Sequence, residues 1–360
     1  MDELLKNLNS IDETDRVYAV DDLAELGDPK AVSSLLKRLN VESSEIVENA
    51  IVDALKQLDC SENYDYIFEL LSSPEAFIRN AALGIFASEG ERAIAFLTSY
   101  LDHSNREIRK LILDSLVEIG TNNALFAIRA CLFDKDPNVQ ITAVEYLTKL
   151  EDKDSLEDML EIFSENPEPM LKTTLLYGIT NLGDENTLRK VLNILLKEGM
   201  DKSNFDSTFI DDLFDLISKV GNFEELTKVF DMIDDTFTYE ENIIETLEAV
   251  KSRFNDFLNS TKIMERLIDI VKNNKSGTSL RYNAVEFLID DNCSIISADV
   301  LYELGLKLAE QKNGLLYSAV KLLVKSKKDD VKEKIMIIKE SSNDNALIEF
   351  CTNILLEEVK

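Results

Sequence analysis

The sequence predicts an all-α protein, a right-handed α-solenoid of stacked antiparallel helical hairpins, and three observations carry that prediction. The first is an interval. Arg16 to Gly27, Arg79 to Gly90, Arg109 to Gly120 and Lys172 to Gly183 each span eleven residues, and Glu48 to Asp59 and Gln140 to Glu151 keep the register with substituted landmarks. Successive first landmarks lie 32, 31, 30, 31 and 32 residues apart. The second is periodicity. Apolar residues stand three positions after the landmark (Ala19, Ile51, Ala82, Ile112, Ala143, Leu175) and seven after it (Leu23, Leu55, Phe86, Leu116, Leu147, Ile179). Those offsets follow one helical face, and the third observation is that alternate-residue patterning is absent. A unit this short cannot bury its own apolar face and must stack on copies of itself.

Each unit opens with a helix of about four turns. The offset-ten position extends its apolar face through Leu26, Leu58, Ile119, Leu150 and Leu182, with Glu89 the exception. The glycine column, Gly27, Gly90, Gly120, Gly183 and Gly221, marks helix ends, because glycine tolerates the left-handed conformation that terminates a helix. A second, shorter apolar stretch follows, such as Val32, Leu35, Leu36 and Leu39, or Tyr64, Ile67, Phe68 and Leu71. That is the second helix of a hairpin. Between units, Ser73-Pro74, Asp136-Pro137 and Asn166-Pro167 place proline where the next helix starts and where it does no harm.

The stretch from Arg16 to Leu39, RVYAVDDLAELGDPKAVSSLLKRL, resembles a HEAT repeat of the short type first recognised in phycobilisome lyases. Its Arg, Ala, Leu, Leu-Gly-Asp-Pro and Ala landmarks come in order, and residues 12 to 199 read as six such units within an N-terminal region of 1–199. The resemblance implies the solenoid fold but says little about function, since such repeats serve as scaffolds, adaptors, enzyme subunits and DNA-repair glycosylases. Residues 200–360 read as longer, divergent hairpins that continue the solenoid, with Arg281 to Val285 and Leu316 to Val320 echoing Val17 to Val20. A last helix, about 344–359, is expected to cap the array with a polar outer face.

Composition narrows the function. The net charge is -30, and its acid excess lies in the first 250 residues: 27 acids against 14 bases in 1–150, 25 against 8 in 151–250, and 17 against 17 thereafter. A phosphate binder needs a basic stripe, so nucleic acid and anionic membranes are unexpected partners. The absence of Trp also argues against the glycosylase reading. No apolar run approaches about 18 residues, and the N-terminus has no apolar signal core, which points to a cytoplasmic protein. Four scattered cysteines, Cys60, Cys131, Cys293 and Cys351, read as packing residues.

Chemical motifs mostly exclude. His103 is the sole histidine and sits in a turn, which rules out multi-histidine metal sites and leaves a Ser-His-Asp triad no other candidate. G-x-G-x-x-G, Gly-Lys and G-x-S-x-G patterns are missing. Asp134, Asp136, Asn138 and Glu145 match calcium-loop positions, but Val139 stands where that loop needs glycine, so Asp136 is expected to cap a helix ahead of Pro137. No catalytic residue, cofactor or metal is therefore expected.

What remains is recognition. Second helices of such hairpins usually line the concave surface. Projection from the register puts Ser33, Asp65, Ala95, Phe126, Glu157 and Arg189 in one outward column, and Lys37, Glu69, Ser99, Ala130, Glu161 and Asn193 in a parallel one. Phe126, with Arg129 beside it, is expected to turn inward and fill a gap; an exposed anchor is the other reading. Tyr66 and Phe96, one position further round, would join it in an apolar strip. The acidic alternative places a basic protein partner on 151–250, through Asp211, Asp212, Asp234 and Asp235 together with Glu157 and Glu161. The function expected is a non-catalytic scaffold or adaptor for protein partners; the runner-up is a bilin-lyase-like or other enzyme subunit with a ligand pocket on its concave face.

Overall fold

The computed structural model describes residues 1–165, 167–197, 207–232, 239–253, 261–290, 296–311 and 314–357. Within them the regular structure is helical, and the chain divides into two compact units, Met1–Leu182 and Gly183–Lys360.

The first unit runs through α1 (Asp2–Asn7), α2 (Glu13–Leu26), α3 (Val32–Leu39), α4 (Glu45–Leu55), α5 (Tyr64–Leu70) and α6 (Ala76–Glu89). It continues with α7 (Glu91–Thr98), α8 (Arg106–Ile119), α9 (Asn122–Ala130), α10 (Pro137–Lys149), α11 (Leu156–Ser164) and α12 (Pro169–Leu182). First helices stack in a ladder, α2 on α4, α4 on α6, α6 on α8, α8 on α10 and α10 on α12. The two apolar columns supply the packing: Leu23, Leu55, Phe86, Leu116, Leu147 and Ile179 are all fully buried, as are their partners three positions after each landmark. The offset-ten column does not behave as one face. Leu26 is 52% exposed, whereas Glu89 is buried and satisfied: it accepts from the Cys60 amide at 3.0 Å and the Tyr64 hydroxyl at 2.6 Å.

The first landmark is a clamp. Arg16 donates to the Ser10 and Ile11 carbonyls, Arg79 to those of Ser73 and Pro74, and Arg109 to that of His103, so each guanidinium ties the inter-repeat turn to the helix that follows it. Arg16 and Arg109 also reach a carboxylate of the next unit, Glu42 at 2.9 Å and Asp134 at 2.7 Å. The planar, always charged fork of arginine suits this double task.

Helix ends follow local chemistry. Asp12, Ser44, Asn105, Thr121 and Asp136 accept from backbone amides as N-caps. Gly27 and Gly120 adopt the left-handed C-cap geometry. Gly90 has positive φ with a different ψ, and Gly221 follows α14 without positive φ, so the glycine column is less uniform than its spacing implies. Conversely, Glu151 occupies the glycine position of the fifth unit and still has φ 55°. The prolines are also corrected in part: Pro137 is the first residue of α10, but Pro74 precedes the N-cap of α6, and Pro169 rather than Pro167 opens α12.

The second unit contains α13 (Glu185–Lys197), α14 (Ser207–Val220), α15 (Phe223–Met232), α16 (Glu240–Arg253) and α17 (Thr261–Lys272). After them come α18 (Thr278–Leu288), α19 (Ala298–Glu310), α20 (Leu316–Ser326), α21 (Val331–Ser341) and α22 (Asn345–Glu357). Helix α14 packs on α16, α16 on α18, α18 on α20 and α20 on α22, the same alternate-helix ladder at a longer period. Ala284, Val285, Ala319 and Val320 are all buried in it. In the final hairpin Met336 and Ile337 of α21 and Leu356 of α22 are exposed.

Candidate protein-interaction surface

The second helices of the first unit stand side by side. Helix α5 meets α7 and the turn after it through Tyr64, Phe68, Phe96 and Tyr100, whose ring centroids lie 4.2–5.9 Å apart in successive pairs. Helix α7 packs on α9, and Arg129 of α9 reaches Asp152 and Asp154 just ahead of α11. Counted from the landmarks, with the third unit shifted one residue earlier, equivalent residues of these helices fall into two projected rows. One row is Asp65, Ala95, Phe126 and Glu157; the other is Glu69, Ser99, Ala130 and Glu161. All eight are exposed.

Phe126 is the departure that matters. It does not turn inward: its residue is 73% exposed. Ala124, Ala127 and Ile128 form the buried face of α9, and Phe126 lies off that face. Phe96, by contrast, is half-buried in the aromatic cluster with Tyr64, Phe68, Phe86 and Tyr100, and so does not form a strip with Phe126. Tyr66 is half-buried. Arg129 is committed to the Asp152 and Asp154 carboxylates, so its charge is already matched.

Beside the second row lies a groove of about 500 Å³ bordered by Ser99, Asp102, Ala130, Phe133 and Lys135. Phe133, 55% exposed, was invisible to the helix projection because it lies in the 3-10 turn after α9 rather than on a helical column. The four carboxylates of the rows are spare. Among the described residues none makes an ion pair, and Asp65 accepts only a long hydrogen bond, 3.4 Å, from the Tyr100 hydroxyl.

The other acidic candidates are placed differently. Asp211 is exposed on α14 and accepts from Asn242 on α16 at 3.1 Å, which puts it on the ladder of the second unit; its neighbour Asp212 is half-buried. Asp234 and Asp235 lie outside the described residues. Asp134 pairs with Arg109, and Asp136 caps α10 by accepting from the Asn138 amide, so two of the four calcium-loop positions are spent on packing and capping. His103 accepts from the Asn105 amide in its turn. Burial pushes the Cys60 and Cys131 thiols up to about 12, away from nucleophilic use. Cys293 is outside the described residues, as is Asn166. Among the described residues no group of three or more His, Cys, Asp or Glu could hold a metal ion, and no helix is long and apolar enough to cross a membrane.

Fold and surface together define an all-α helical-repeat protein. The family model for HEAT repeats matches residues 1–87 and 90–180, and the first unit belongs to the HEAT-repeat family. Among solved structures the chain is similar to an engineered protein (15% identity, 91% of this chain and 98% of that one, TM-score 0.43). It is also similar to the karyopherin Kap121p bound to the extreme C-terminus of the protein phosphatase Cdc14p (14% identity, 97% and 44%, TM-score 0.46), of which it spans less than half the length. A further similar structure is the CpcE and CpcF complex of phycocyanin lyase from Nostoc sp. PCC7120 (18% identity, 64% and 92%, TM-score 0.28). No match is found among the curated proteins.

Proposed function

We propose that this chain is a non-catalytic scaffold that binds a protein partner on the second-helix face of its first unit. The observation that carries the reading is the exposure of Phe126 between the acidic ends of its projected row. A large aromatic side chain left in water on a regular array is a contact waiting for a partner, since aromatic anchors dominate interface energetics. Around it stand the small residues Ala95, Ser99 and Ala130, which let a partner backbone approach closely.

A benzoyl-phenylalanine crosslinker at Ala130 in the full chain, activated in the native host, tests this. A discrete crosslinked protein is expected, and Phe126→Glu should abolish it while leaving the melting transition unchanged, because an exposed side chain carries little folding energy. Crosslinking that survives Phe126→Glu would overturn the reading.

A further inference from the structure

The arrangement of charge on this face specifies the partner, granting the docking face just proposed. Across the four second helices each row reads acidic, apolar or small, apolar or small, acidic: Asp65, Ala95, Phe126, Glu157 in one and Glu69, Ser99, Ala130, Glu161 in the other. The carboxylates therefore come as two pairs, one on α5 and one on α11, with the Phe126 platform and the Phe133 groove between them. Among the described residues no ion pair matches any of the four, whereas the nearby Arg129 is already paired.

We infer that the occupant is an extended segment of a partner protein with a basic residue cluster at each end and an apolar centre. Width argues for an extended chain. The members of each pair are one helical turn apart, about 6 Å, a track that suits one strand and is narrower than the roughly 10 Å of a helix. Length follows from the repeat. Three helix-to-helix steps of about 10 Å separate the carboxylate pairs, and at about 3.3 Å per residue an extended chain crosses them in roughly nine residues. Energetics divides the labour: exposed ion pairs contribute little each, so the apolar centre holds the segment while the flanking charges set register and association rate. Four unpaired carboxylates also repel phosphate, which disfavours a nucleic-acid strand on the same track.

Fluorescein-labelled synthetic peptides test the assignment by anisotropy against the full chain. Each has a Lys-Arg pair at both ends and a central Leu-Phe in a Gly-Ser spacer of three or nine residues; a third peptide has nine residues and no Leu-Phe. The nine-residue Leu-Phe peptide should bind at least tenfold more tightly than either other peptide. Its affinity should fall severalfold when Asp65→Asn and Glu69→Gln are combined, severalfold for Glu157→Gln with Glu161→Gln, and tenfold or more for Phe126→Ala. Asp211→Asn with Asp212→Asn should leave it unchanged. Affinity independent of spacer length, or undiminished in both carboxylate double variants, overturns the inference. If no peptide binds while the Ala130 crosslink forms and depends on Phe126, the basic-apolar-basic assignment falls and the docking face stands; if neither occurs, both fall.

Discussion

Arg109 illustrates how a landmark position works at the scale of one residue. It is almost wholly buried, yet its guanidinium is satisfied by the Asp134 carboxylate and the His103 carbonyl. Removing one member of a buried pair leaves the other charge uncompensated, which typically costs about 3–5 kcal/mol. Arg109→Ala should lower unfolding free energy by about that amount in a urea titration. Replacing Arg109 and Asp134 together by apolar residues of similar size should cost clearly less. Glu42 offers a pH handle on the same device. Burial by itself raises its carboxyl, but the Ser43 and Ser44 amides and the Arg38 and Arg16 guanidiniums outweigh that and hold it down to about 2. A folded-state pKa below the unfolded value of about 4.3 gives stability that is present above that value and lost as pH falls toward about 2. Glu42→Gln should therefore destabilise at neutral pH and flatten the loss of stability between about pH 4.3 and 2. Thermal melts of both proteins across that range check it.

At the scale of the helix, backbone geometry separates positions that the repeat spacing treats as equal. Glu151 sits in the left-handed region where four other units have glycine at the same register, and the Asp152 amide still closes the helix end by donating to the Leu147 carbonyl at 2.9 Å. A left-handed non-glycine residue costs on the order of 1 kcal/mol. Glu151→Gly should accordingly stabilise the first unit by about 0.5–1 kcal/mol, read as a higher urea midpoint with unchanged slope. Gly305 is the opposite case. Its missing Cβ lets α19 lie against α20, since an added carbon would meet Leu323 at 2.8 Å and the Ala319 carbonyl at 3.1 Å. Gly305→Val should cost about 1–3 kcal/mol by overpacking. A melt of the variant at the wild-type midpoint would show that the two helices can move apart freely.

For the molecule as a whole, stability rests on stacked apolar columns and charge clamps. Cys60, Cys131 and Cys351 are buried free thiols, and the chain has one histidine. Calorimetric melts should therefore be unchanged by chelator or by reductant. A fall of several degrees with either would reveal a metal site or a disulfide on which folding depends. The net charge of -30 acts at the same scale. Self-repulsion of that size is screened by salt over a length of about 8–10 Å, so moderate ionic strength favours the compact state.

The period, the helix faces and the hairpin order were all readable from the residues alone. They are local and repeated: one register places Leu23, Leu55, Leu116, Leu147 and Ile179 alike, and each copy corroborates the others. Of the twelve positions projected outward from that register, Ser33 and Arg189 are half-buried, Arg189 because it pairs with Glu225, and the other ten are exposed. What the tertiary structure decided is what depends on neighbours distant in sequence. Whether Phe126 turns in or out depends on which residues of α9 its neighbours bury; whether Arg129 is a free cation depends on Asp152 and Asp154, 23 and 25 residues away. Glu89, an apparent flaw in an apolar column, becomes a buried acceptor only once Cys60 and Tyr64 of the preceding unit are beside it. Periodicity specifies direction along a helix, but partnership is set by packing between helices, and it is partnership that separates a core residue from a surface one.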